Sequence, residues 1–127
     1  MEIVLWVLQF LLAAAFLAHG WLLLAPPASV IEQMNATLAP WFRISLGYAE
    51  VLAAVGLTLP GITRVLPWLV PCASAGIMIV MIGATIFHLV RGELSSAGVT
   101  LILLVIASFV TYMRWKVMPI HRRVART

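Results

Sequence analysis

The apolar positions of the chain fall into four long runs that are separated by short polar or proline-containing links. The runs cover residues 3–24, 41–59, 66–90 and 97–117. Each is close to the ~20 apolar residues that an α-helix needs to cross a bilayer. Pro60 and Gly61 follow the second run and are expected to end it. The pattern predicts an all-α, integral membrane four-helix bundle, with residues 1–127 forming a single domain.

The link between the first two spans has an amphipathic pattern of its own. Ser29 and Glu32 have the spacing of a capping box, and apolar residues from Val30 to Leu38 fall on one side. We predict a short helix over residues 30–38 that lies in the membrane interface, in the position of a lid.

The composition fits a membrane protein and argues against a soluble catalytic domain or a nucleic-acid-binding surface. Hydrophobic residues make up 64% of the chain and charged residues 9%, whereas a soluble domain is about half apolar and about a quarter charged. Any chemistry must therefore lie inside the bundle or at its ends. Basic residues are not interleaved with aromatic ones, so a nucleic-acid surface is not expected. Glu2 precedes the first run without a basic segment, and we expect that helix to be retained.

The basic residues are distributed unevenly. Of the eight Lys and Arg residues, Arg43 and Arg91 lie on one side of the predicted bundle, and the other six lie in the Arg64 loop and near the C-terminus. The positive-inside rule places both termini in the cytoplasm. We expect the plasma or inner membrane of a bacterium, with the C-terminal bases contacting anionic lipid headgroups.

Ionisable residues concentrate in the outer half of the predicted bundle. Arg43, Gly47 and Glu50 share one narrow face of the second span. Glu50 lies near the middle of that span, and the alternating helix directions bring His19 and His88 to the outer half as well. Charged groups in a bilayer are costly and usually face a bundle interior or a wet cavity. We predict an outward-facing cavity bounded by His19, Glu50 and His88, where Gly47 leaves space for a ligand.

Several roles are open to these residues. Glu50 with His19 or His88 would form an acid–base pair, while Arg43 would set the charge of Glu50 or bind an anionic or carbonyl oxygen. No cofactor is predicted. As a less favoured alternative, His19, His88 and Glu50 match the ligand set of non-haem iron, and the two histidines could hold a haem. In a structural interpretation, Arg43 and Glu50 pair with each other and fix helix packing.

Three parts of the chain resemble the DoxX and DoxX-like membrane proteins. They are RISLGYAE at 43–50 with GLTLPG at 56–61, LAAAFLAHG at 12–20, and FHLVRG at 87–92. The resemblance implies a four-helix membrane bundle and makes Arg43, Gly47 and Glu50 motif positions. The family name comes from a subunit linked to thiosulfate oxidation with quinone as acceptor, and other relatives are tied to oxidative-stress complexes or receptor assembly. Cys72 is the single cysteine, so thiol-based sulfur chemistry is not expected here.

Two functional hypotheses follow. The leading one is a membrane-embedded acid–base enzyme of isomerase or hydrolase type, or an oxidoreductase subunit, acting on a lipophilic small molecule with Glu50 as proton donor or acceptor. The alternative is a non-catalytic assembly or chaperone subunit whose polar cluster is structural. A permeation path is disfavoured because one midplane carboxylate makes a poor pore. The expected partners are membrane lipids and a lipophilic molecule, with a second copy or another membrane protein as the options for a protein partner.

Overall fold

The computed structural model describes residues 1–124, which form six helical elements and no strand. The elements are α1 (Glu2–Leu24), α2 (Ala28–Thr37), α3 (Pro40–Thr63), α4 (Leu69–Val90), α5 (Leu94–Tyr112) and a π-helical turn (Met113–Val117) that continues α5. Four helices, α1, α3, α4 and α5 with its extension, are long and apolar enough to cross a membrane. The predicted all-α four-helix membrane bundle is confirmed.

The four long helices form a ring in the order α1, α3, α4, α5. α1 packs mainly on α3 and α4 on α5, while α3 contacts α4 and a smaller contact between α5 and α1 closes the ring. α1 and α4 are therefore diagonal. Neighbouring helices are antiparallel, since Gly20 lies beside Gly47 whereas Gln9 reaches Leu57. We call the end with Glu2, the α3–α4 loop and the C-terminal segment the terminal end, and the opposite end the α2 end.

The core of the bundle is apolar, and so is its outer surface. Side chains from all four long helices form one buried cluster, comprising Leu12, Ala13, Phe16, Ala54, Leu57, Ile77, Met81, Ala107 and Val110. Large apolar side chains such as Ile79 and Val105 are exposed on the outside, as expected for helices that face lipid.

Hydroxyl groups hold α4 and α5 together. The Ser74 hydroxyl donates to the carbonyl of Ala107 at 2.8 Å, and the Thr85 and Thr100 hydroxyls lie 2.8 Å apart. Such interhelical hydrogen bonds contribute about 0.6 kcal/mol each in a bilayer.

The end of α3 differs from the prediction. α3 continues through Pro60 to Thr63 and ends at Arg64, which has φ 56°. Proline removes one intrahelical donor, but Pro60 and Gly61 are buried, and a Cβ at Gly61 would lie 2.8 Å from the Trp6 ring. Close packing therefore holds this segment in the helix, and the predicted end at Leu59 is too early.

The predicted capping box at the start of α2 is wrong. The helix begins at Ala28, so that Ser29 lies in its first turn, and no side chain caps it. Instead, the carbonyl of Pro27 accepts the backbone N–H groups of Val30 and Ile31 at 3.0 and 3.2 Å. The carbonyl of Pro27 thus begins the helical hydrogen bonding, and no side chain of the described residues caps the helix.

Candidate functional site

The site is created by the close approach of α1 and α3. A Cβ built on Gly20 would lie 2.9 Å from the carbonyl oxygen of Gly47 and 3.1 Å from the Cβ of Glu50. Only glycine fits at such a distance, and small residues of this kind allow membrane helices to pack backbone to backbone. The approach positions His19, the neighbour of Gly20, beside Glu50.

His19 and Glu50 form a hydrogen-bonded pair between the two helices. His19 Nδ1 and Glu50 Oε2 are 2.6 Å apart. The Glu50 side chain is only 2% exposed, whereas that of His19 is 56% exposed. The carboxylate is thus covered by the protein, while the imidazole reaches the outer surface of the bundle. The predicted encounter of Glu50 with His19 is therefore present in the structure.

This arrangement can hold and pass on a proton. A hydrogen bond between Nδ1 and Oε2 requires one proton between them, whichever atom carries it. Among the described residues, Glu50 is the one hydrogen-bond partner of His19, which leaves Nε2 for a group from outside. A carboxylate that orients one ring nitrogen while the other reacts is a common acid–base arrangement.

Arg43 does not pair with Glu50, so the structural interpretation in which these two residues pair is wrong. Arg43 is 6% exposed; its Nη1 donates to the carbonyl of Leu23 and its Nε to Asn35 Oδ1 at 3.3 Å. The last carbonyls of α1 lack intrahelical donors, and Arg43 contacts one of them. Glu50 lies two turns, about 10 Å, further along α3. Arg43 therefore fixes the end of α1 to α2 and α3.

The prediction that Gly47 leaves room for a ligand is wrong. A Cβ at Gly47 would lie 2.8 Å from Leu24 Cγ, and the carbonyl oxygen of Gly20 is 3.1 Å away. The Leu24 side chain fills the space that glycine opens. Gly47 thus serves the contact between α1 and α3.

His88 lies apart from the His19–Glu50 pair. Its Nδ1 is 2.6 Å from Oε2 of Glu93, and the other carboxylate oxygen, Oε1, accepts a 2.9 Å hydrogen bond from Arg91 Nε. The hydrogen bond from His88 and then that from Arg91 hold the pKa of the exposed Glu93 carboxyl below its usual value. α4 is diagonal to α1, and a turn at Gly92 (φ 72°) brings Glu93 back to His88. The predicted partnership of His88 with Glu50 is wrong, because Glu50 is bonded to His19 of α1 and His88 is bonded to Glu93 of its own loop.

The residues considered as iron ligands are not assembled. Within residues 1–124, no three His, Cys, Asp or Glu side chains are grouped so that they could hold a metal ion. His19 and Glu50 are adjacent, but His88 is engaged with Glu93.

A second buried polar cluster, at the terminal end, was not found from the sequence. Arg114 is 2% exposed; its Nε donates to Gln9 Oε1 at 2.6 Å and its Nη1 to Glu2 Oε1 at 2.7 Å. Gln9 in turn donates to the carbonyl of Leu57 at 2.8 Å. The available signal was that Glu2, Trp6 and Gln9 share one face of α1. The guanidinium carbon of Arg114 lies 5.3 Å from the centre of the Trp6 ring, a cation–π contact.

Comparison with known proteins identifies the family. A model of the DoxX-like family matches residues 7–110. His19, Arg43, Glu50 and His88 fall inside the matched region, and Arg114 lies beyond it. No curated protein and no solved structure matches the chain. Because the family match covers most of the sequence and the fold is a four-helix membrane bundle, the chain belongs to the DoxX-like family.

Proposed function

We propose that this DoxX-like membrane protein exchanges a proton with a lipophilic molecule that reaches His19 from the bilayer, with Glu50 as the buried member of the pair. The observation that carries the proposal is the 2.6 Å contact between His19 Nδ1 and Glu50 Oε2, in which the carboxylate is covered and the imidazole is exposed. His19 is then the group that meets the ligand.

The position of His19 suggests how the ligand arrives. His19 lies five residues before the end of α1 at Leu24, which is about 7.5 Å of helix. It is thus near the border between hydrocarbon and headgroups. A polar ring that faces lipid at this depth carries a desolvation cost unless a polar group meets it. An amphiphilic molecule with a carbonyl or hydroxyl oxygen near the headgroups would supply that group.

The chemistry proposed is a proton transfer through the imidazole. Nε2–H donates its proton to an oxygen of the ligand while Glu50 holds Nδ1–H, and the reverse step returns the proton to Nε2. The negative charge of Glu50 offsets the positive charge of the ring when both nitrogens are protonated. This step would serve an isomerase or hydrolase, or a redox-associated subunit in which proton transfer accompanies electron transfer.

Ligand recovery tests the proposal. Wild-type protein, His19→Phe, Glu50→Gln and His88→Phe are purified in the same detergent, and their bound lipophilic molecules are extracted and compared by mass spectrometry. We expect one species to be depleted in His19→Phe and retained in the other three. His88→Phe is a matched control because His88 also bonds a glutamate at 2.6 Å, but an exposed one of its own loop. An identical set of molecules in wild type and His19→Phe would refute the proposal.

The assembly-subunit alternative is supported by the same hydrogen bond, since it ties α1 to α3. If the pair is structural, a single replacement leaves the partner unpaired and is destabilising, whereas a double apolar replacement is tolerated. We therefore compare Glu50→Leu with the double variant His19→Phe/Glu50→Leu in cells that lack the native protein. Growth or assembly at the wild-type level in the double variant would favour the structural role over proton exchange.

A further inference from the structure

A second site is indicated at the terminal end, away from the His19–Glu50 pair. A half-open cavity of about 450 Å³ lies between the α3–α4 loop, the start of α4 and the C-terminal segment. The C-terminal segment is held across the loop by the backbone N–H of Arg123, which donates to the carbonyl of Arg64 at 3.1 Å. The cavity is therefore built from three separate parts of the chain, and its size is within the usual range for ligand sites.

The lining combines an apolar wall with positive charge. Leu66, Trp68, Trp115 and Ile120 contribute apolar surface, and the charged residues of the lining are Arg114 and Arg122. Within the described part of the chain, no acidic side chain takes part in the lining. A ligand that suits this surface has a negative group beside a hydrocarbon chain.

Arg114 has a hydrogen-bonding group without a partner. Its Nε bonds Gln9 and its Nη1 bonds Glu2, but its buried Nη2 has no partner in the described part of the chain. Buried donors are rarely left unsatisfied, least of all on a charged group. Because Arg114 is also a lining residue of the cavity, a group bound there is the candidate acceptor for Nη2.

The excess of positive charge at the terminal end also favours an anionic ligand. The terminal end carries Arg64, Arg114, Lys116, Arg122 and Arg123, and the one acidic side chain there, Glu2, is bonded to Arg114. The other three glutamates of the chain lie on α2, in the middle of α3 and before α5. Bases clustered beside membrane-spanning helices attract anionic lipid headgroups.

We propose that this cavity binds an anionic phospholipid, whose phosphate accepts hydrogen bonds from Arg114 Nη2 and Arg122 and whose acyl chain lies along Leu66 and Trp68. Guanidinium groups bind phosphate oxygens through charge-assisted hydrogen bonds. A free phosphate ion offers the same oxygens, but only a lipid also covers the apolar wall. The π-helical turn at Met113–Val117 adds to the case, because such turns are frequent at functional sites.

Protection of Cys72 tests the proposal in the full-length protein. Cys72 lines the cavity and is the single cysteine of the chain, so its rate of alkylation by N-ethylmaleimide reports whether the cavity is covered. Protein in neutral detergent is titrated with phosphatidylglycerol, phosphatidylcholine or inorganic phosphate. We expect only phosphatidylglycerol to slow alkylation at low concentration. Equal protection by phosphatidylcholine, or by inorganic phosphate alone, would overturn the lipid site.

Matched variants separate the site from general charge attraction. Arg122→Gln should raise the phosphatidylglycerol concentration needed for half-protection about tenfold, because it removes a charge-assisted hydrogen bond to the phosphate. Lys116→Gln removes the same charge from an exposed residue of the same end that does not line the cavity, and should leave protection unchanged. Arg114→Gln should weaken binding about tenfold or more. Since Arg114 also holds Gln9 and Glu2, Arg122→Gln is the deciding variant, and equal losses in Arg122→Gln and Lys116→Gln would refute the site.

Discussion

Gly20 and Gly47 lie directly against each other, so that a methyl group on Gly20 would lie 2.9 Å from the carbonyl oxygen of Gly47. The contacted atom on α3 belongs to the backbone, which cannot move aside as a flexible side chain would. The distance between α1 and α3, and with it the distance between His19 and Glu50, depends on these two glycines.

We therefore predict that Gly20→Ala destabilises the bundle by about 1–3 kcal/mol, the usual cost of overpacking. Thermal unfolding in detergent measures the effect. Gly76→Ala is the matched control, because a Cβ at Gly76 meets no atom within 4 Å and alanine favours a helix by up to about 1 kcal/mol over glycine. An unchanged melting temperature in Gly20→Ala would contradict the close packing of α1 on α3.

A second prediction concerns Arg43. Arg43→Met should destabilise the protein by about 1–3 kcal/mol, because it leaves the Leu23 carbonyl without its donor. It should also speed amide hydrogen exchange in α2, since Asn35 loses its contact with Arg43. Asn35→Ala, at an exposed position, should have the smaller effect on stability. Loss of stability without faster exchange in α2 would argue against a role for Arg43 in holding α2.

A third prediction concerns pH. The folded protein lowers the pKa of Glu93 from its ordinary value of 4.5, so the ionised carboxylate is favoured by folding. Its contribution to stability is fully present above the ordinary pKa and is lost as the pH falls through the lower, folded-state pKa. Melting temperatures between pH 6 and pH 3 should fall less steeply in Glu93→Gln than in wild type. Parallel curves for the two proteins would contradict the ion pairs with His88 and Arg91.

A fourth prediction concerns orientation in the membrane. In a background with Cys72 replaced by Ala, a cysteine at position 29 should react with an impermeant maleimide in intact cells. A cysteine at position 127, which lies outside the described residues, should react only after permeabilisation. The uneven distribution of Lys and Arg motivates this expectation. Labelling at position 127 from outside would show that the topology is the opposite of the predicted one.

The apolar runs predicted the four spanning helices, because each crossing of a bilayer requires about 20 apolar residues. They did not predict the end of α3, which continues through Pro60 to Thr63. The depth of each residue in the membrane, counted along antiparallel helices, was enough to predict that His19 meets Glu50. It was not enough for His88, because hydropathy does not show that Glu50 faces α1 or that Glu93 folds back to bond His88. Gly47 could equally have provided space or contact, and only the position of Leu24 decides between them.

The cluster around Arg114 was missed for a related reason. Arg114 and Gln9 are 105 residues apart, and their contact depends on α5 closing the ring against α1. Near the C-terminus, an arginine resembles an ordinary membrane-flanking base. Gln9 was a polar residue in an apolar span without an evident partner, and such a residue is itself a reason to look for one.

The two ends of the bundle are fastened to different degrees. At the terminal end, Arg114 joins the first turn of α1 to the end of α5, and Arg123 joins the C-terminal segment to the α3–α4 loop. At the α2 end, α2 has no buried residue, and the Asn35 contact of Arg43 ties it to α3. Segments with few buried contacts open at the lowest free energy. Local opening at the α2 end should therefore begin with α2 itself, while the Gly20–Gly47 contact and the His19–Glu50 hydrogen bond keep α1 against α3.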